Sequence, residues 1–179
     1  MTRDRAVAEM LLRRKTRPKL KKGKRYAKRS KKSTTKEPLS KKHENALREA
    51  FVKVLLKSPL GKVRFSDDER HISVIFFDEK FSYRIVIKRE VNVGSWSKSK
   101  DEIFIDKEIL ETENIKSFKA LCVHEAVEKF LVETYGLDLD KEAHVVATKK
   151  EEEYLKRIGG SWRSHQLVVY HLWDKLDRH

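Results

Sequence analysis

The chain has almost no cysteine. Cys122 stands alone among 179 residues. That excludes an internal disulfide and any cysteine-built zinc ribbon, and makes a reducing compartment the simpler expectation. Long apolar runs are missing too, and nothing approaches the roughly 18–20 residues that a membrane span needs. The early apolar patch, Ala6-Val7-Ala8 and Met10-Leu11-Leu12, is broken by Glu9 and too short for a secretory signal. Asp4 and Glu9 also count against a mitochondrial presequence, which is poor in acids. No internal repeat is present, and no pair of Glu-x-x-His elements of the di-iron bundle type. These absences point to a soluble cytoplasmic protein without membrane contact and leave association with a virion open.

Positive charge is abundant and concentrated. The formal net charge is +14, yet residues 1–42 hold 18 Lys and Arg against 3 Asp and Glu, a balance of +15. The other 137 residues hold 24 against 25, a balance of −1. The chain therefore reads as a basic arm, 1–42, followed by a nearly neutral domain, 43–179. One or two helical turns are expected over residues 4–14. Beyond them the arm has too few apolar side chains to bury and is expected to be disordered without a partner. Arg13, Arg14, Lys15, Arg17, Lys19, Lys21, Lys22, Lys24, Arg25, Lys28, Arg29, Lys31 and Lys32 are the candidate contacts to nucleic-acid phosphates, with Tyr26 as a stacking group. Another polyanion, an acidic protein, a localisation signal or a solubilising tail would use the same composition. Such a run positions a ligand without reading bases.

In the domain, Ala46, Ala50, Phe51, Val54 and Leu55 recur at helical spacing, which predicts a helix from about His43 to Lys57, stopped by Pro59 and Gly61. Short strands are expected at Lys62–Ser66 and Ile72–Phe77. A turn at Asp78-Glu79-Lys80 then leads into an alternating strand carrying Phe81, Tyr83, Ile85 and Ile87. Val91–Lys100 reads as a loop and Glu102–Asp106 as a further strand. Thr112 or Asn114 can cap a long helix running to Thr134, with Gly136 ending it. Asp138 or Asp140 can cap a second helix running to about Arg157. Ser161 starts a third, with Trp162, Val169, Leu172, Trp173 and Leu176 expected to face the core. The fold class is α+β: a helix, a small antiparallel sheet of three to four strands, then three helices.

The chemistry concentrates between Leu121 and Tyr154. His124 and Glu128, four apart, share one face of the first long helix, and Glu125 flanks it. His144, Thr148 and Glu151 form one stripe of the second. A short turn favours antiparallel packing, so the two stripes can converge between these helices. Two imidazoles with carboxylates make a transition-metal site, and zinc suits that donor set. In the zinc-peptidase pattern His-Glu-x-x-His, the intervening Glu is the base. Here Glu128 replaces the second His, and a carboxylate is a legitimate ligand at about 2.0–2.2 Å. His144 would supply the third bond, and Glu151 a fourth or a supporting contact. Water at an open position would have its pKa lowered toward about 7, with Glu125 taking its proton. Core packing is the simpler account of Cys122 and Tyr154, and His165 reads as a buried histidine or a partner behind the site.

The segment VHEAVEKFLVETYGLDLDKEAHVVATKKEEEYL resembles a group of small, mostly uncharacterised prokaryotic and phage proteins. Their pattern is His-Glu-x-x-Glu, a Gly turn, Ala-His-x-x-Ala and a downstream Glu. The matching residues here are His124, Glu125, Glu128, Gly136, Ala143, His144, Ala147 and Glu151. The group is similar to minimal zincin-like metallopeptidases. The resemblance implies His124, Glu128 and His144 as zinc ligands, Glu125 as catalytic base, and a peptide or protein substrate. Two functions follow as expectations. One is a zinc-dependent hydrolase. The other is a non-enzymatic nucleic-acid-binding or nucleoprotein-packaging protein, with a metal that is structural or absent.

Overall fold

The computed structural model describes residues 41–112 and 114–176. The basic arm, with its thirteen candidate phosphate contacts and its helical turns over 4–14, lies outside them, save for Lys41 and Lys42. The chain divides into two compact units, Met1–Phe51 and Val52–His179. Described residues of the first form the opening turns of helix α1 (Lys41–Lys57). The second holds the last turn of α1 and every element after it. Among the described residues no helix is long and apolar enough to cross a membrane.

Five strands follow α1: β1 (Leu60–Phe65), β2 (His71–Phe76), β3 (Glu79–Lys88), β4 (Gly94–Trp96) and β5 (Glu102–Asp106). They form one sheet in the order β1-β2-β3-β5-β4. The three to four antiparallel strands expected from the pattern are thus five in a mixed sheet, because β3 and β5 run parallel. After β3 the chain runs out along the sheet edge as β4, then turns back and inserts β5 between them. β4 is a three-residue strand, Gly-Ser-Trp, inside the expected loop 91–100. It is too short and too polar to show a period of two.

The β2–β3 hairpin also turns earlier than expected. Phe76 pairs with Glu79, so the turn is Phe77-Asp78, with both residues left-handed at φ 52° and 61°. Two-residue turns of this hand match the twist of the strands they join. Phe is an unusual occupant, and its ring meets Tyr135 edge-on at 6.3 Å. At the far end of β5, buried Asp106 accepts from the backbone N–H groups of Glu90 and Glu108. It thereby fixes both the exit from β3 and the start of the short helix α2 (Glu108–Glu111).

Helix α3 (Ile115–Phe130) lies on the sheet and is the centre of the molecule's second unit. Asn114 caps it by accepting from the Ser117 N–H. Every residue from Leu121 to Phe130 is buried, because the sheet covers one side and helix α4 (His144–Arg157) the other. Phe130 stacks on Phe81 of β3, centroids 4.1 Å apart. The helix widens into a π-helical turn, Leu131–Tyr135, and ends at Gly136, whose φ of 64° is costly for any residue with a Cβ. Asp138 then accepts from the Lys141 N–H, while Glu142 accepts from the Asp138 N–H. This reciprocal cap opens a second π-helical turn, Leu139–Ala143, and His144 follows it directly.

The last helix, α5 (Trp162–Leu176), departs from expectation. Leu172 is buried, but Trp162, Val169 and Leu176 are only half-buried and Trp173 is 51% exposed. Helical spacing reveals which face is apolar without revealing what that face meets. Here much of it meets a cavity.

Candidate metal centre

Antiparallel packing of α3 on α4 brings the two stripes together. His144 Nδ1 lies 3.0 Å from Glu128 Oε2 and 3.2 Å from His124 Nε2, and the latter two are 3.5 Å apart. One donor atom from each residue thus forms a nearly equilateral triangle. A tetrahedral zinc with bonds of about 2.0–2.1 Å holds neighbouring ligand atoms about 3.3–3.4 Å apart. The donor set therefore fits zinc in chemistry and in spacing.

Each buried member of the triangle is held from behind. The carboxylate of Glu151 accepts from His124 Nδ1 at 2.8 Å and, through its other oxygen, from His165 Nε2 at 2.7 Å. As Nδ1 must donate to the carboxylate, the Nε2 of His124 is the nitrogen left for an ion. Glu151 therefore lies behind His124 and outside the triangle. Such an outer carboxylate fixes the tautomer and raises the basicity of the imidazole. On α3, Glu128 accepts from the indole N–H of Trp96 at 2.9 Å, which leaves its second oxygen toward the histidines. Buried Lys129 donates to the Ser97 carbonyl and pairs with Glu133, tying the end of β4 to α3. His144, with its side chain 56% exposed, opens the triangle to solvent.

The electrostatics follow from burying these groups together. Burial opposes charge on His124, yet hydrogen bonds to Glu128 and Glu151 outweigh it and hold its pKa well above the ordinary value. Burial also opposes charge on Glu128 and Glu151, but their histidine partners hold both below the usual carboxylate range. Glu125 behaves differently. Burial, reinforced by the neighbouring carboxylates, pushes it up to about 8 against the pull of His124. A divalent ion beside it would favour the ionised form. The Glu125 carboxyl packs directly beneath Gly94, where a Cβ would collide with it.

Glu125 and the triangle line one cavity of about 870 Å³, bounded by β4, the turn before α4, and α5. The remaining candidates fall outside the chemistry. Cys122 is buried, and burial raises its thiol pKa well above normal. Tyr154 packs near Phe65. The acids that follow Glu151 lie apart from it as well: Glu153 accepts from the Leu60 N–H and pairs with Lys150 and Arg157, while Glu152 pairs with Lys149. Sequence reasoning missed Trp96 and Gly94, which sit in the segment read as a loop. A lone tryptophan among serines and lysines was their only trace. No protein-family model, curated protein or solved structure matches the chain.

Proposed function

We propose that the protein is a zinc-dependent hydrolase of the peptidase type, zincin-like in arrangement, with His124, Glu128 and His144 as the metal ligands and Glu125 as general base. The observation that carries this is the triangle of donor atoms with sides of 3.0, 3.2 and 3.5 Å. Zinc bound there supplies a Lewis acid that polarises a carbonyl and lowers the pKa of water to about 7. Glu125 accepts the proton of the attacking water as its hydroxyl adds to the carbonyl carbon. The same carboxyl then returns the proton to the leaving nitrogen as the C–N bond breaks. Trp96 holds Glu128, and Glu151 holds His124, so neither ligand turns away during the cycle.

The test compares zinc content and peptide hydrolysis in the parent chain and in Glu125→Gln. The variant should keep its zinc and lose at least about a hundredfold in rate, as expected when a general base is removed. Equal rates in the two proteins would end the reading.

A second reading is favoured by the +15 balance of residues 1–42: the chain is a non-enzymatic nucleic-acid-binding or nucleoprotein-packaging protein, with a metal that is structural or absent. Under that reading Glu125→Gln changes nothing, and affinity for nucleic acid falls steeply with salt.

A further inference from the structure

The apolar stripe of α5 is not packed into the core. Trp162, Gln166, Val169, Tyr170 and Trp173 recur at intervals of four, three, one and three residues, so they share one helix face, and all five line the cavity of the candidate metal centre. Tyr170 is 68% exposed and Trp173 51% exposed. The neighbouring stripe anchors the helix through buried His165 and Leu172, and Lys175 pairs with Glu108 at its far end. The apolar face is therefore held out over the cavity by contacts on another side. Leu139, 42% exposed, and Trp96 face the same space. Among the described residues, and apart from the metal-centre acids and histidines, only Lys98 and Asp140 bring charge to the lining. At about 870 Å³ the cavity is within the size range of sites that enclose a small ligand.

We infer that this wall is a substrate subsite that takes a large, uncharged apolar side chain, aromatic above all, next to the bond being hydrolysed. The inference rests on the hydrolase reading, because the metal centre defines where that bond lies. An aromatic ring placed against Tyr170 and Trp173 removes apolar surface from water on both partners and adds ring–ring contact. A carboxylate or ammonium set against these rings would lose hydration, with one Lys98 or one Asp140 elsewhere in the described lining to offset it.

The hydroxamates of glycine, aspartate, lysine and phenylalanine test the inference, titrated calorimetrically into the zinc-loaded full chain. Each brings the same metal-chelating group, so differences between them report the wall. The phenylalanine compound should bind about tenfold to a hundredfold tighter than the glycine compound, and aspartate and lysine no tighter than glycine. In Tyr170→Ala/Trp173→Ala that preference should shrink to about twofold or less, with zinc content retained. Equal affinity across the four compounds, or a preference that survives the double substitution, overturns the inference. So does a stable dimer that the double substitution dissociates, since a second copy would then occupy the face.

Failure of the metal reading looks different: no hydroxamate binds. The wall is then read without metal, from the indole N–H resonances of the three tryptophans, all of which line the cavity. N-acetyl-phenylalaninamide should shift those of Trp162 and Trp173 where N-acetyl-glycinamide does not, and the absence of any shift overturns the inference.

Discussion

The chain His165–Glu151–His124 is the least replaceable part of the site at the scale of single residues. Glu151 uses one oxygen on each imidazole, so Glu151→Gln presents an amide where two donors need acceptors. Zinc affinity should fall about 10–100-fold in that variant, the usual cost of losing an outer-shell partner, and competition with a chromogenic chelator measures it. Proton linkage provides a second check. His124 in the metal-free fold has a raised pKa, so its stabilising contribution is complete below the unfolded value of about 6.5 and is lost as pH rises through the folded one. Glu125, also raised, to about 8, binds a proton more tightly folded than unfolded and shifts stability the same way. The metal-free chain should therefore lose melting temperature as pH rises from about 4.5, the unfolded value for Glu125, through about 8, its folded one. Zinc binding should tighten over the same range and release protons, because the ion replaces the proton on His124. Calorimetry in buffers of different ionisation enthalpy detects that release, and zinc affinity flat with pH would contradict the assignment.

Elements set where those residues stand, and here legibility in the sequence was uneven. Helices α3 and α4 were readable because their caps and breakers are local: Asn114, Gly136 and Asp138 each act within a few residues, and the i, i+4 spacing of His124 and Glu128 is a property of the helix itself. The widened turns at Leu131–Tyr135 and Leu139–Ala143 left no such mark, since a π-helical turn differs from an α-helical one by hydrogen-bond partner and not by composition. Strand β4 and its neighbour were hidden for another reason. Which strand lies beside which is decided by long-range pairing, and Gly94-Ser95-Trp96 is too short to signal it. The stripe of α5 was correctly seen as apolar, but of its five residues Leu172 alone is buried in the core. Two substitutions test the elements directly. Asp138→Ala removes the cap of the turn that delivers His144, so it should cost about 1 kcal/mol of stability by chemical denaturation and weaken zinc binding in parallel. Gly94→Ala drives a methyl group into the Glu125 carboxyl. Its hydrolytic rate should drop at least about tenfold, by displacement of the base, while zinc, held by other residues, stays bound.

Viewed as a whole, the molecule joins a nearly neutral domain to a segment that holds the entire positive surplus. Removing residues 1–40 should abolish salt-dependent binding to nucleic acid, measured as the slope of log affinity against log salt, and leave the zinc content of the remainder unchanged. An unaltered slope would remove the arm from the account. The proposed function depends on one ion held by two nitrogens and a carboxylate oxygen from facing helices. X-ray absorption at the zinc edge, on the metal-loaded full chain and on His144→Ala, tests it most directly. The expected spectrum has only nitrogen and oxygen neighbours at about 2.0–2.2 Å, with the imidazole scattering of two histidines, reduced to one or lost with the ion in the variant. A sulfur neighbour at about 2.3 Å, or a spectrum unchanged by the substitution, would place the metal elsewhere and contradict the account.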